Sequence, residues 1–208
     1  MINAIRVAER IDLVGAEILA VYPARLTPGK RFEKVAALAG AIKSKAEKRT
    51  QVVFCDFPSA DISSKVYQTM IRMEGVKYGL DGADMLFTSE LGYTEGFPRQ
   101  GVFELFQLSN LFICPSHSES FGLTVLEAGS RGDFLVLNEA VPALKELGES
   151  LGAYFMRRDA RNFGYDTHEK YAPSERAYYE EHGINIVNVM REDKSLNAKT
   201  IVRSKYNP

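Results

Sequence analysis

The stretch LFICPSHSESFGLTVLEAGSRG, residues 111–132, changes character twice. It begins with an apolar run, Leu111–Cys114, of the kind that forms a strand buried on both faces. A polar loop follows, and Gly122–Arg131 then has the apolar spacing of a helix that ends at Gly132. The stretch therefore predicts a buried strand, a polar loop at its carboxyl end and a helix.

The same alternation is repeated along the chain. Helical patterns separate short apolar runs, most of which are rich in branched or aromatic residues. The runs are Ile18–Tyr22, Val52–Phe57, Met85–Phe87, Leu111–Cys114, Phe134–Leu137 and Ala153–Met156. Strands and helices that alternate in this way predict an α/β fold with a doubly wound, Rossmann-like parallel sheet of about six strands. In the strand order 3-2-1-4-5-6 of such sheets, the first and fourth strands are neighbours.

The helical segments and the C-terminal tail complete the predicted organisation. The segments are Arg31–Lys48, Ser64–Tyr78, Gly101–Ser109, Gly122–Arg131, Val141–Leu147, Glu175–Arg191 and Leu196–Lys205. Asp159–Pro173 is predicted to be a loop or an insertion. We expect residues 1–208 to form a single domain, with a core at about residues 17–157 and a loop and helical tail at 158–208.

The composition excludes several classes of protein. The chain has 26 Lys and Arg against 27 Asp and Glu, so no basic surface for nucleic acid is indicated. Cys55 and Cys114 lie in apolar runs without the spacing of a zinc site, which predicts buried, reduced thiols and no metal. No apolar run is long enough for a transmembrane segment, and the N-terminus has no signal-peptide core. These features predict a cytoplasmic protein, with peripheral membrane contact as an open alternative.

Two unusual loops follow the first and fourth strands. PARLTPGKRFEK, residues 23–34, follows the first strand, and PSHSESFGLTVLEA, residues 115–128, follows the fourth. Ligands of doubly wound sheets bind beyond the carboxyl ends of the strands, where the winding direction reverses. The two loops are therefore expected to face each other across one cleft.

The first loop has an unusual concentration of positive charge. Thr27 is a good N-cap and Pro28 a good first helical residue, so Lys30 and Arg31 are predicted in the first turn of a helix. The helix macrodipole disfavours cations at that end, and Arg25 lies just upstream. Solvated surface charge is one interpretation. A bound anion at the helix start is the interpretation we favour at this position in the sheet.

The second loop provides another helix start. Ser118 and Ser120 are candidate caps, and Gly122 has no side chain to keep a ligand away from the first amides of the helix. Glu127 follows about one turn later, roughly 6 Å along the axis, where it would meet the ribose attached to a phosphate on those amides. Glu119 precedes the helix and is expected to face the group on the far side of the phosphates.

These residues resemble motifs of a known enzyme family. ESFGLTVLE, residues 119–127, resembles the Glu-x7-Glu motif of retaining glycosyltransferases with the GT-B fold. RLTPGK, residues 25–30, resembles the R-L-x-x-x-K element of the same family. The run at residues 103–132 resembles a longer family pattern around that motif, and the resemblance covers roughly Ala20 to Gly148. Several motifs in family order are far more specific than any one of them.

The resemblance implies a site for a nucleotide diphosphate sugar, with UDP and GDP sugars as candidate donors. Arg25 and Lys30 would bind the diphosphate and stabilise it as the leaving group. Gly122 and Leu123 would offer backbone N–H groups to it, and Glu127 would hold the ribose. No cofactor other than the donor and no metal is implied.

The resemblance also implies contacts to the sugar and the base. Glu119 would contact the donor hexose and act with Arg25 and Lys30 in catalysis. The remaining contacts by position are Ser120 and Phe121 in the second loop, and Leu91, Tyr93 and Val102 near the base. The sequence departs from the family pattern at Pro23 and Ala24, which replace glycine before Arg25.

The expected organisation is one half of a GT-B fold. Enzymes of this kind bind the donor mainly with the second domain and the acceptor with the first. We expect this chain to be the C-terminal donor domain, with an N-terminal acceptor domain in cis or as a separate chain. The acceptor is unknown, and the isolated domain is expected to bind the donor without transferring the sugar.

Other functions stay open at this stage. A nucleotide-sugar epimerase or a phosphorolytic enzyme could use the same fold and nucleotide site. A hydrolase could use Glu119 and Glu127 as an acid and base pair. A noncatalytic interaction module could retain the fold without binding a nucleotide.

Several prominent residues are expected to be structural. His117 is interpreted as an incidental loop histidine, and Met70 and Met73 as core residues. Tyr178 and Tyr179 are expected on the surface of the last helix.

Overall fold

The computed structural model describes residues 2–158 and 173–191, which contain a six-stranded sheet. The strands are β1 (Ile18–Arg25), β2 (Thr50–Phe57), β3 (Met85–Phe87), β4 (Leu111–Cys114), β5 (Phe134–Asn138) and β6 (Tyr154–Met156). All neighbouring strands are parallel, in the order β3-β2-β1-β4-β5-β6. The predicted α/β class, strand number and strand order are confirmed.

Helices connect and flank the strands. They are α1 (Ile2–Ala8), α2 (Phe32–Lys45), α3 (Ser64–Tyr78), α4 (Arg99–Phe106), α5 (Leu123–Arg131), α6 (Pro142–Leu151) and α7 (Pro173–Met190). Short 3-10 turns lie at Pro28–Lys30, Gly82–Asp84 and Thr88–Leu91. The predicted helix Leu196–Lys205 and nearly all of the predicted loop Asp159–Pro173 lie outside the described residues. No helix in the described ranges is long and apolar enough to cross a membrane.

The core lies on both sides of the sheet because most residues of the central strands are apolar and buried. Every residue of β4 is buried. A row of aromatic rings joins α2 to β1, β2 and β3: Phe32 packs edge-on against Tyr22 at 4.9 Å, and Phe54 stacks on Phe87 at 4.8 Å. These layers hold the carboxyl ends of β1 and β4 side by side.

Helix α1 was not predicted, because its N-terminal cap comes from a distant residue. The carboxylate of Glu104 in α4 accepts N–H bonds from Asn3 and Ala4, at 2.9 and 3.1 Å. Burial alone would raise the pKa of Glu104, but the donated hydrogen bonds, that of Ala4 foremost, hold this pKa below its usual range. A seven-residue helix is too short to be stable alone, so this tertiary contact accounts for it.

Two expectations about buried residues were wrong. Met70 and Met73 are 53% and 60% exposed, and with Val66 and Val76 they form an apolar stripe on the outer face of α3. The inner face of α3 is formed by Tyr67, Ile71, Gly75 and Tyr78, which sets the rotation of the helix. Conversely, Tyr179 of α7 is buried, with its ring 5.3 Å from that of Tyr78.

Candidate functional site

A cleft lies at the carboxyl ends of β1 and β4, where the direction of winding reverses. Its cavity of about 190 Å³ is lined by Tyr22, Pro23, Ala24, Lys30, Cys114, Glu119, Leu123 and Thr124. Tyr22 and Cys114 of this lining belong to β1 and β4, and the other residues belong to the two loops identified in the sequence, the second of which includes the start of α5. The expected meeting of these loops across one cleft is therefore confirmed.

Direct hydrogen bonds hold the two loops together beneath the cleft. The hydroxyl of Tyr22 donates to the backbone carbonyl of Lys30 at 2.7 Å and lies 3.3 Å from the hydroxyl of Ser116. The backbone N–H of His117 donates to the carbonyl of Gly29 at 3.3 Å. Burial raises the pKa of Tyr22 well above its usual range, so this hydroxyl stays protonated and able to donate.

Sequence reasoning missed these supporting roles of Tyr22 and His117. A tyrosine inside an apolar strand was the available signal, because a buried hydroxyl usually has a hydrogen-bond partner. His117 is 7% exposed, and its ring packs against Gly29 so closely that an added Cβ there would lie 3.2 Å from Nε2. The histidine is therefore part of the loop contact and not incidental.

The predicted helix start at Pro28 is wrong. Pro28–Lys30 forms only a 3-10 turn, and α2 begins at Phe32. Arg31 separates the two in a left-handed conformation, with φ 54° and ψ 45°, and Thr27 makes no side-chain cap. Lys30 therefore does not lie in the first turn of an α-helix, and the macrodipole argument does not apply to it.

Lys30 is instead placed by an ion pair across the cleft. Its ammonium group contacts the carboxylate of Glu119, which joins the loop after β1 to the loop after β4. The two side chains are 29% and 18% exposed and line the same cavity. Arg25 is exposed at the end of β1 and does not line the cavity, and its guanidinium has no hydrogen-bond or ion-pair partner within residues 2–158 and 173–191.

The start of α5 meets the cavity through Leu123 and Thr124. Gly122 is the N-cap residue, with φ 79° and ψ 42°, a conformation that favours glycine. The helix has no side-chain cap, so neither Ser118 nor Ser120 caps it as expected. The N–H of Val125 donates to the carbonyl of Gly122 at 2.9 Å. The N–H groups of Leu123 and Thr124 are left for water or a ligand.

The loop before α5 presents apolar surface beside this helix start. Phe121 and Leu123 are 59% and 56% exposed, and Ser120 is also exposed. Large exposed apolar side chains that lie together beside a cavity are typical of a binding surface.

Glu127 lies farther along α5 and does not line the cavity. Its side chain is 16% exposed, and its Oε1 accepts a hydrogen bond from Nη2 of Arg99 at 2.9 Å. Arg99 is the first residue of α4 and is 74% exposed. Glu127, the second carboxylate of the motif, is thus bound to α4, whereas Glu119, the first, is bound to Lys30 in the loop after β1.

Comparison with known proteins identifies the family. Residues 7–150 match the family model described as glycosyl transferases group 1. The chain belongs to the group 1 glycosyltransferases. The match covers more than half of the 208 residues and includes every motif residue discussed above. A search of curated protein sequences found no significant match.

Solved structures show that this glycosyltransferase chain has the fold of one GT-B half. The C-terminal domain of the group 1 glycosyltransferase LpcC from Francisella tularensis aligns with a TM-score of 0.64 at 15% identity, over 98% of this chain and 92% of that one. Anabaena HepE in complex with UDP and glucose aligns with a TM-score of 0.67 at 14% identity, over 99% of this chain and 48% of HepE.

A third similar structure is an α,α-trehalose-phosphate synthase (UDP-forming) from Burkholderia vietnamiensis. It has a TM-score of 0.64 at 15% identity, over 94% of this chain and 42% of the synthase. The glycosyltransferase chain thus spans less than half the length of HepE and of the synthase.

The residues predicted near the base lie against α1 in this glycosyltransferase. Arg6 of α1 donates to the hydroxyl of Tyr93 and to the carbonyl of Leu91, both at 3.2 Å. The ring of Tyr93 also packs edge-on against Phe97 at 4.8 Å, and Val102 is only 5% exposed. Their contact with a base stays a prediction.

The two cysteines differ in position, since Cys114 lines the cavity and Cys55 does not. Cys55 and Cys114 are buried and free, as predicted, and burial raises the pKa of Cys114 to about 11. Within the described ranges, no three His, Cys, Asp or Glu residues are grouped so that they could hold a metal ion.

Proposed function

We propose that this chain is the donor-binding domain of a retaining hexosyltransferase that uses a UDP sugar. The observation that carries the proposal is the cavity at the reversal point of the sheet, which Lys30, Glu119 and the uncapped start of α5 share. HepE, whose structure contains UDP and glucose, and a UDP-forming synthase have the same fold, which favours UDP over GDP as the first nucleotide to test.

In this proposal, Lys30 and the first N–H groups of α5 bind the diphosphate. During transfer, the bond between the anomeric carbon and the diphosphate oxygen breaks, and the electron pair stays on the diphosphate. The oxygen of the acceptor hydroxyl forms the new bond on the same face of the sugar, and the proton of that hydroxyl passes to the departing diphosphate oxygen. A fixed cation and aligned N–H donors stabilise the charge that develops on the leaving group. Arg25, which is exposed one loop away, is the proposed second cation.

Glu119 is the proposed contact to the hexose. In the free protein its carboxylate is bound to Lys30. When a donor enters, the diphosphate replaces Glu119 as the partner of Lys30, and the carboxylate is then available to accept from sugar hydroxyls. Ser120 and Phe121 lie beside it in the loop and complete this part of the proposed site. No cofactor other than the donor is required.

Glu127 is the proposed ribose contact, because it follows the phosphate-binding turn by one turn of α5. Leu91, Tyr93 and Val102 are the proposed surroundings of the base. The acceptor is bound by a second domain, in cis or as a separate chain. The buried free thiols of Cys55 and Cys114 agree with a cytoplasmic location, which we also propose.

Titration of UDP, GDP and ADP by calorimetry tests the proposal. We expect weak binding of UDP by the isolated chain and no transfer, because positioning by an acceptor domain is absent. Lys30→Ala should abolish most of the binding. Lys65→Ala is the matched control, since Lys65 is an exposed lysine on α3 that does not line the cavity.

The outcome separates the alternatives. Failure of every nucleotide to bind would favour the noncatalytic interaction module. Binding that Lys30→Ala leaves unchanged would place the nucleotide elsewhere. When the chain is assayed together with its acceptor domain, product analysis with a UDP sugar distinguishes transfer from epimerisation and from phosphorolysis.

A further inference from the structure

We propose that Arg99 is a positioning residue that holds the carboxylate of Glu127 in the orientation that binds the ribose. The inference rests on the proposed function and adds a residue from α4 that lies outside the two sequence motifs. It also predicts a specific ligand dependence, because Arg99 acts only through the hydroxyl groups that Glu127 binds.

The hydrogen bond between the two side chains leaves half of the carboxylate available. Nη2 of Arg99 donates to Oε1 of Glu127 at 2.9 Å. Oε2 of Glu127 has no hydrogen-bond partner in the part of the chain that the structure describes. A carboxylate has about four acceptor positions. Arg99 can therefore stay bound to Oε1 while Oε2 accepts from ribose hydroxyls.

The location of Arg99 is not explained by the stability of its own helix. Arg99 is the first residue of α4, where the macrodipole disfavours a positive charge. Its guanidinium lies 5.2 Å from the ring of Phe103, one turn along, which restricts its position. The favourable partner for the charge is Glu127 on the neighbouring helix α5.

The alternative is an ordinary surface ion pair. Such pairs contribute little to stability and have no effect that depends on a ligand. Glu127 differs from a surface acid because its side chain is only 16% exposed, while that of Arg99 is 74% exposed. An exposed guanidinium that fixes a mostly buried carboxylate fits a positioning role better.

Affinity for UDP and for 2′,3′-dideoxyuridine diphosphate provides the test. The parent protein should bind UDP more tightly, because only UDP offers both hydroxyls to Glu127. Arg99→Gln should weaken UDP binding by roughly threefold to fivefold and leave binding of the dideoxy ligand unchanged. Arg99→Lys should recover part of the loss. Arg131→Gln is the matched control, because Arg131 lies 5.4 Å from the same Phe103 ring and has no ion pair with Glu127.

The results distinguish this inference from the proposed function. Equal losses for the two ligands in Arg99→Gln, or no loss for either, would overturn the positioning role alone. If the parent protein bound UDP and the dideoxy ligand equally well, the ribose role of Glu127 would be overturned, and the role of Arg99 with it. Thermal unfolding of each variant checks that the fold is intact.

Discussion

The two glutamates of the motif, Glu119 and Glu127, have the same charge and lie eight positions apart, yet they have different surroundings. Glu119 lines the cavity and is bound to Lys30 from the loop after β1. Glu127 lies outside the cavity lining and is bound to Arg99 of α4. Both carboxylates have a cationic partner, but only the partner of Glu119 is also a proposed ligand of the diphosphate.

This difference predicts two kinds of response to a donor. The ion pair of Glu119 must open, because the diphosphate and the carboxylate compete for Lys30. The ion pair of Glu127 can persist, because Arg99 occupies only Oε1. When a donor binds, Lys30 is therefore expected to change its partner from Glu119 to the diphosphate, while Glu127 keeps its hydrogen bond to Arg99.

The largest effect, on the free energy of unfolding, is expected at a third carboxylate, Asp133, which has no cationic partner among residues 2–158 and 173–191. It is fully buried at the amino end of β5. Its Oδ1 accepts from Ser109 at 2.7 Å, while Oδ2 has no partner in the described part of the chain. Burial raises its pKa from 3.8 to about 8.

The stability that Asp133 contributes is therefore complete below about pH 4 and is lost as the pH rises towards 8. Between pH 5 and 7 the free energy of unfolding should fall by about 2 kcal/mol more in the parent protein than in Asp133→Asn. Denaturant unfolding at several pH values measures the difference. Parallel pH profiles for the two proteins would contradict it.

The second largest effect is expected at the partner of Glu119. Lys30→Ala should weaken UDP binding by about one to two decades, because a charge-assisted contact to the diphosphate is lost. Calorimetry at constant ionic strength measures this, with Lys65→Ala as the control. A change of less than twofold would remove Lys30 from the diphosphate site.

A smaller loss is expected at Glu127. Glu127→Ala should weaken UDP binding by about tenfold, since a pair of hydrogen bonds to the ribose is removed while the phosphate contacts remain. Binding of the dideoxy ligand should not change. If the affinity for every nucleotide that binds the parent stayed constant, Glu127 would be a surface acid.

The smallest expected effect is a gain in affinity for UDP instead of a loss. Glu119→Gln should strengthen binding of UDP by roughly twofold to threefold, because Lys30 is released from a competing carboxylate. The same variant should lose any preference for UDP-glucose over UDP. Weaker binding of UDP itself would show that Glu119 supports the diphosphate site instead of competing for it.

The fold was predictable from the sequence because the spacing of apolar residues indicates where its strands and helices lie. The β3 and β4 runs and helix α3 have exactly the bounds that the sequence predicted. The strand order was also predictable, because in sheets of this class the fourth strand pairs with the first, on the side opposite the second. The predictions were wrong or incomplete where contacts between distant residues determine the local structure. Helix α1 depends on its contact with Glu104, and the exposure of Met70 depends on the rotation of α3 against its neighbours.

The site was predictable only in part. The motifs located the cleft and placed Lys30, Glu119 and Leu123 in its lining. The local signals at Thr27 and Pro28 predicted an α-helix, but the left-handed Arg31 delays its start to Phe32. The partner of Glu127 was not predictable, because Arg99 lies on another helix and no sequence pattern links the two.

The structure of a complex of this chain with UDP is the decisive measurement. We expect the diphosphate beside Lys30 and the first N–H groups of α5, with the ribose hydroxyls at Oε2 of Glu127 and the Arg99 contact retained. We also expect the contact between Lys30 and Glu119 to be broken in the complex. A nucleotide bound away from the carboxyl ends of β1 and β4, or one that leaves the Lys30–Glu119 pair intact, would overturn the proposed site.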